Sequence, residues 1–294
     1  GFSFIMLSMI LANILNINYL DKKSWHLVYM FFFRYALVFM ILAYYYKLEY
    51  FDKRYLIFLL YLSFSFLALT GVFSLMSMPS AVVEEGLKGT LDNRNAFGLF
   101  MGMGFVLSLL LFESKKVLSF SLMIIFATLM VFTFSRSSWV ASVFASFVLL
   151  SLNFKKIKIY HLNYLLIFIA FIFAVYFSFD SIQQRFSQLL AGDSSGRLEI
   201  WQHTIVLIKE KLYFGHGLDT WLNLSDPFLK RYPDAHNMIL EVLLSTGVLG
   251  LMAVSMAIAS VLFEIYRSKN YKLFAVAAYF LVVTQFDFGA FGSK

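Results

Sequence analysis

The chain has 294 residues, 61% of them hydrophobic and only 14% charged, with a mean hydropathy of +0.77. Soluble domains are nearer half apolar and a quarter charged, so lipid is the expected solvent and an ordinary soluble enzyme is excluded. The net charge of +7 is then expected to record membrane topology rather than nucleic-acid binding, and the absence of cysteine excludes disulfides and thiolate metal sites.

Nine apolar runs approach the roughly 20 residues that a spanning helix needs. They cover about 2–20, 25–46, 55–78, 95–112, 117–134, 138–152, 162–179, 238–263 and 272–286. Such long unbroken runs exclude a β-barrel, whose strands are short and alternating. Pro79, Pro227 and Pro233 all fall between runs, as continuous helices require. The expected fold is an all-α integral membrane bundle, forming one membrane domain over 1–294. Its helices occupy 1–179 and 237–294, and one large loop occupies 180–236. The chain opens inside an apolar run at Gly1 and stops just past another at Lys294, so a longer parent chain is expected.

Lys and Arg in short connections set the orientation. Lys47, Lys53 and Arg54 follow the second run, Lys115 and Lys116 the fourth, Lys155, Lys156 and Lys158 the sixth, and Arg267, Lys269 and Lys272 the eighth. These even-numbered connections are expected in the cytoplasm, against the vote of Lys22 and Lys23. The connection 79–94, the break at 135–138 and the long loop then face outward. Within that loop, Trp201, Ile205, Ile208 and Leu212 recur at helical spacing behind possible N-caps Ser194 and Ser195. This predicts an amphipathic helix lying at the membrane surface.

The unusual polar residues fall on the outer side. Arg94 begins the fourth run, Arg136 sits in the break, Arg197 begins the loop helix, and His236 and Asn237 stand at the mouth of the eighth run. Asn237 suits an N-cap. Glu241 lies about one turn inside an apolar helix, where a bare carboxylate is costly, so it needs a partner. An arginine or His236 is the expected one. Gly247 and Gly250 suit close helix packing. Guanidinium groups bind phosphate oxygens in pairs and keep their charge, and a neutral imidazole accepts a proton from a hydroxyl. Together they point to group transfer from a lipid diphosphate. His203 and His216 lie in the loop without metal-ligand spacing, and no metal or cofactor is expected. The alternative is a transporter or flippase of lipid-linked or anionic sugars. Arg34, near the middle of the second run, is the residue in its favour.

The stretch from His236 to Gly250 reads His-Asn, nine residues, Gly, two residues, Gly. It resembles the signature of the O-antigen ligases and O-antigen polymerases at all fixed positions. Arg197, Trp201, Gly215 and Gly217 resemble that family's loop pattern, and Asn93, Asn95 and Gly98 its element before an earlier helix. The Arg136 segment resembles its arginine-bearing break. The resemblance covers about residues 85–263. It implies a GT-C-type, metal-independent inverting glycosyltransferase of the bacterial inner membrane. Such an enzyme moves a glycan from undecaprenyl diphosphate to an acceptor sugar at the periplasmic face. The acceptor is lipid A-core in ligases and another lipid-linked glycan in polymerases. The family role of the motif histidine would fall on His236, as base or acceptor-orienting group, and Asn237 and Glu241 are expected to join the catalytic set by fixing its position or tautomer. Arg136, Arg197 and Arg94 would bind the diphosphate.

Overall fold

A computed structural model of the chain describes residues 2–16, 53–77, 85–91, 93–112, 114–152, 159–218, 221, 228, 231–232, 234–269 and 272–286. The second expected span (25–46), Arg34, Lys22, Lys23 and the lysines at 155–158 lie outside them. Among the described residues the secondary structure is helical, without strands. The helices are α1 Phe2–Leu15, α2 Lys53–Ser77, α3 Arg94–Leu111, α4 Lys116–Phe132, α5 Arg136–Leu152, α6 Ile159–Ser178, α7 Asp180–Leu190, α8 Arg197–Glu210, α9 Met238–Arg267 and α10 Lys272–Val283.

The described residues support fewer spans than the nine expected. Three helices are long and apolar enough to cross a membrane: Phe58–Ser77, Arg94–Leu111 and Met238–Arg267. A fourth span is possible if Tyr164–Ser178 and Asp180–Leu190, bent by 105°, count as one. α4, α5 and α10 are apolar but shorter. At 17 residues, α4 and α5 rise about 25 Å, less than the roughly 30 Å of a bilayer core. The chain is a multi-pass membrane protein. Its α2 carries Phe66, Leu69, Phe73 and Met76 at 65–80% exposure, a surface that lipid accepts and water does not.

Two compact units are present. One contains Leu56–Asp193 and Ile265–Val283. Here α3 packs on α4, α5 and α10 around a core that includes Phe97, Met101, Phe126, Leu129 and Tyr279. Close approach is possible because α3 is glycine-rich. A Cβ on Gly104 would lie 2.6 Å from the Phe126 ring, and one on Gly102 would strike the Tyr279 hydroxyl. Polar side chains in this apolar setting bond to backbone carbonyls, as lipid demands. Tyr279 donates to Leu99 O at 2.8 Å, Ser119 to Ser108 O at 2.6 Å and Tyr61 to Leu107 O at 2.7 Å.

The other unit contains Gly1–Tyr55, Ser194–Glu264 and Thr284–Lys294. α8 appears where a helix is expected, with a different buried face. Ile200, Thr204 and Ile208 are buried, whereas Ile205 and Leu212 are 42% and 41% exposed. Both spacings are helical, i, i+4, i+7, i+11 as expected and i, i+4, i+8 as observed; Ile208 belongs to both, and the inward stripe begins one residue earlier. The N-cap is Gly196 in the left-handed conformation rather than Ser194 or Ser195. Asn13 and Asn16, buried at the end of α1, reach the turn after α8. Asn13 Oδ1 accepts from Leu218 N at 2.9 Å, and Asn16 donates to Gly215 O at 3.0 Å and accepts from Lys211 Nζ.

Candidate active site

The site is assembled in the second unit, where the chain enters α9. Asn237 is the N-cap. Its Oδ1 accepts from Leu240 N at 3.1 Å, which satisfies one of the unpaired N–H groups of the first turn. Its amide also donates to Gln285 O at 3.1 Å, and Met238 N donates to Thr284 O at 2.9 Å. The first turn of α9 is thereby tied to the segment that follows α10.

Ala235, fully buried, is held on both faces of its backbone. Its N–H donates to Glu241 Oε2 at 3.0 Å, and its carbonyl accepts from Trp201 Nε1 at 3.0 Å. Glu241 Oε2 also accepts from Trp221 Nε1 at 2.8 Å. Glu241 is itself 0% exposed. Its expected partner, an arginine or His236, gives way to an indole and a backbone amide. The reason is geometric: residue 241 is one turn above the loop and faces inward with Leu244 and Trp221. Its Oε1 has no hydrogen-bond partner among the described residues.

His236 follows the clamped Ala235 with φ of 50°, unusual for a residue with a Cβ. Its backbone N–H donates to Asp234 Oδ1 at 2.7 Å, and its ring Nδ1 lies 2.9 Å from the same oxygen. The His236 side chain is 26% exposed and that of Asp234 12%. The imidazole therefore has one nitrogen close to a carboxylate oxygen and is itself accessible. Asp234 is the functional candidate that motif reading passes over, since it lies outside the His-Asn pattern. An Asp two residues before a histidine is the available sign, because that spacing suits an Asx-turn.

The motif glycines mark a break. Gly247 has φ 66° and ψ −163°, so α9 consists of two helical pieces. The turn after α8 repairs the interruption: His216 N donates to Leu244 O at 2.7 Å, Gly217 N to Ser245 O at 2.9 Å and Val248 N to Leu212 O at 2.9 Å. The backbones meet directly. A Cβ on Gly215 would lie 2.5 Å from Ser245 and Thr246 backbone atoms, and one on Gly247 would strike Tyr213. Gly250 makes room for the Thr246 side chain. The two glycine pairs, distant in sequence, therefore serve one joint. His216 Nε2 bonds to Leu207 O at 2.8 Å, and burial pushes this imidazole below its ordinary pKa against the opposing pull of that carbonyl. His203 stacks on Phe228, with ring centroids 4.4 Å apart.

Of the arginines, Arg197 opens α8 in this unit, half-buried. Arg94 and Arg136 belong to the other unit, where they border one break. Arg136 is 8% exposed, begins α5 after the turn Thr133–Ser135, and lies 3.5 Å from Asp193 Oδ2. Arg94 donates to Glu85 O at 2.9 Å, and Leu87 N of the same segment donates to Phe132 O at 2.8 Å. Asn93 caps α3 by accepting from Asn95 N at 2.8 Å, while a Cβ on Gly98 would lie 2.6 Å from Ser135. Arg185 of α7, absent from the motif reading, sits 5.7 Å from the centroid of the Phe134 ring in this break.

Comparison with known proteins adds a family match over part of the chain. No curated protein and no solved structure gives a significant match. The family model described as O-antigen ligase matches residues 120–255, a segment that holds the Arg136 break, the turn of Gly215 and Gly217, and the motif from His236 to Gly250. That match supports membership of this chain in the O-antigen ligase superfamily.

Proposed function

We propose that the protein transfers a glycan from undecaprenyl diphosphate to an acceptor sugar hydroxyl, at the periplasmic face of the bacterial inner membrane. The acceptor is lipid A-core in ligation or a second lipid-linked glycan in polymerisation. One observation carries the site. The backbone around His236 is fixed through Ala235 and Met238 while the imidazole itself stays accessible. A base on a rigid support near water is what proton abstraction from a sugar hydroxyl requires.

In the proposed step the acceptor oxygen attacks the anomeric carbon and its proton passes to His236. The bond from that carbon to the diphosphate breaks, and its electron pair leaves with the diphosphate. Attack opposite the leaving group inverts the anomeric centre. Arg136, Arg197 and Arg94 supply fixed positive charge for the departing oxygens. Asp193, 45% exposed, is a partner that an incoming phosphate can replace at Arg136. Asn237 and Glu241 act through the support, as cap and clamp.

The test uses purified protein, undecaprenyl-diphosphate-linked glycan, and lipid A-core added or omitted, with products resolved on a gel. Product only with lipid A-core identifies a ligase; longer lipid-linked glycan without it identifies a polymerase. His236→Ala is expected to lower either activity by about a hundredfold or more without loss of folded protein. Full activity in that variant, or no product from wild type under both conditions, would overturn the proposal.

A further inference from the structure

We infer that Asp234 is the positioning residue that fixes the ring of His236, so that Nε2 is the nitrogen presented to the acceptor hydroxyl. The inference rests on the proposed role of His236 as base. A carboxylate offers lone pairs and no proton. With Asp234 Oδ1 2.9 Å away, Nδ1 is the nitrogen on which that carboxylate favours the hydrogen. The neutral ring then carries its hydrogen on Nδ1 and its lone pair on Nε2. The same oxygen accepts the backbone N–H of His236 at 2.7 Å, so one atom sets both the turn and the ring. His236 holds this arrangement with a left-handed φ of 50°. Such a conformation is disfavoured for a residue with a Cβ and persists where the surroundings hold it. Here they do: Ala235, between the two, is bonded to Glu241 and Trp201. When the proton arrives on Nε2, the adjacent carboxylate stabilises the imidazolium.

Asparagine separates this role from simple turn formation. It closes an Asx-turn as aspartate does, without the negative charge. Wild type, Asp234→Asn and Asp234→Ala would be prepared with 15N-labelled histidine, and His236→Ala would assign the ring signals among the five histidines. The expected wild-type ring is protonated on Nδ1, with Nε2 bare, and Asp234→Ala shifts it toward the Nε2-protonated form. In the transfer assay, Asp234→Asn is expected to lower kcat by about tenfold or more with an unchanged donor KM. A wild-type ring protonated on Nε2 would overturn the inference, as would full kcat in Asp234→Ala, which keeps no acceptor for the ring. An inactive wild type with a ring protonated on Nδ1 would overturn the glycosyl-transfer reading while upholding the orientation of the ring.

Discussion

Ala235 has no side-chain chemistry, yet the site depends on its peptide groups. Trp201 holds the carbonyl and Glu241 the N–H. The need for a partner at Glu241 was legible, because a carboxylate within an apolar helix is costly. The partner was not, because a backbone N–H is the same at every residue and Trp221 lies 20 positions away. The geometry separates clamping from catalysis. In Glu241→Gln the amide oxygen can keep both donors, so most transfer activity and thermal stability should survive. In Glu241→Leu the Trp221 and Ala235 N–H groups lose their acceptor, at about 1–3 kcal/mol each. The leucine protein should show a lower Tm in detergent and a matching loss of product on the gel. Equal loss of activity in the two variants, with an unchanged Tm in both, would mean that the carboxylate takes part in the chemistry.

Helices were easier to locate than to understand. The run at 238–263 foretold α9 to within four residues of its end, and the period of 3.6 foretold α8. The break at Gly247 was read as a packing position. A glycine that admits a neighbour and one that leaves the helical conformation look alike in sequence, and here Gly247 does both. The distinction came from Tyr213 and Phe214, whose backbone occupies the space of its missing Cβ. Gly247→Ala should therefore be severe. A positive φ with ψ of −163° is essentially confined to glycine and alone costs about 1–3 kcal/mol, and the collision is with backbone that cannot rotate away. Gly250→Ala meets the Thr246 side chain, which has other rotamers, and should be milder. Monodispersity and Tm of the two proteins in detergent would check this order; a Gly247→Ala protein as stable as wild type would contradict the joint. The shifted face of α8 has a related cause. Periodicity reports that a stripe exists, whereas its inward bearing is set by what packs there, in this case Trp221 and Leu244.

The membrane character of the chain was legible from composition, and the lengths of its described helices were less so. A hydropathy window counts apolar residues; a helix ends at its caps and turns, which leaves α10 with 12 residues. Orientation is open to a direct test because the chain has no cysteine. Single cysteines can be placed at Ser268, directly after α9, and at Gln202, in α8, both exposed. An impermeant thiol reagent should reach Ser268→Cys only from the cytoplasm and Gln202→Cys only from the periplasm. The reverse pattern would invert the proposed topology and put the transfer reaction on the wrong face for a periplasmic acceptor. The break in α9 also gives meaning to the nine-residue interval of the motif. The histidine end is pinned through Ala235 and the glycine end through Tyr213, so the intervening helix is a strut cut to length between two fixed points. Adding one residue would rotate one anchor by about 100° against the other and lengthen the strut by about 1.5 Å. Either the base would leave its support or the broken backbone would lose its repair, so the interval between histidine and glycine functions as a dimension of the machine.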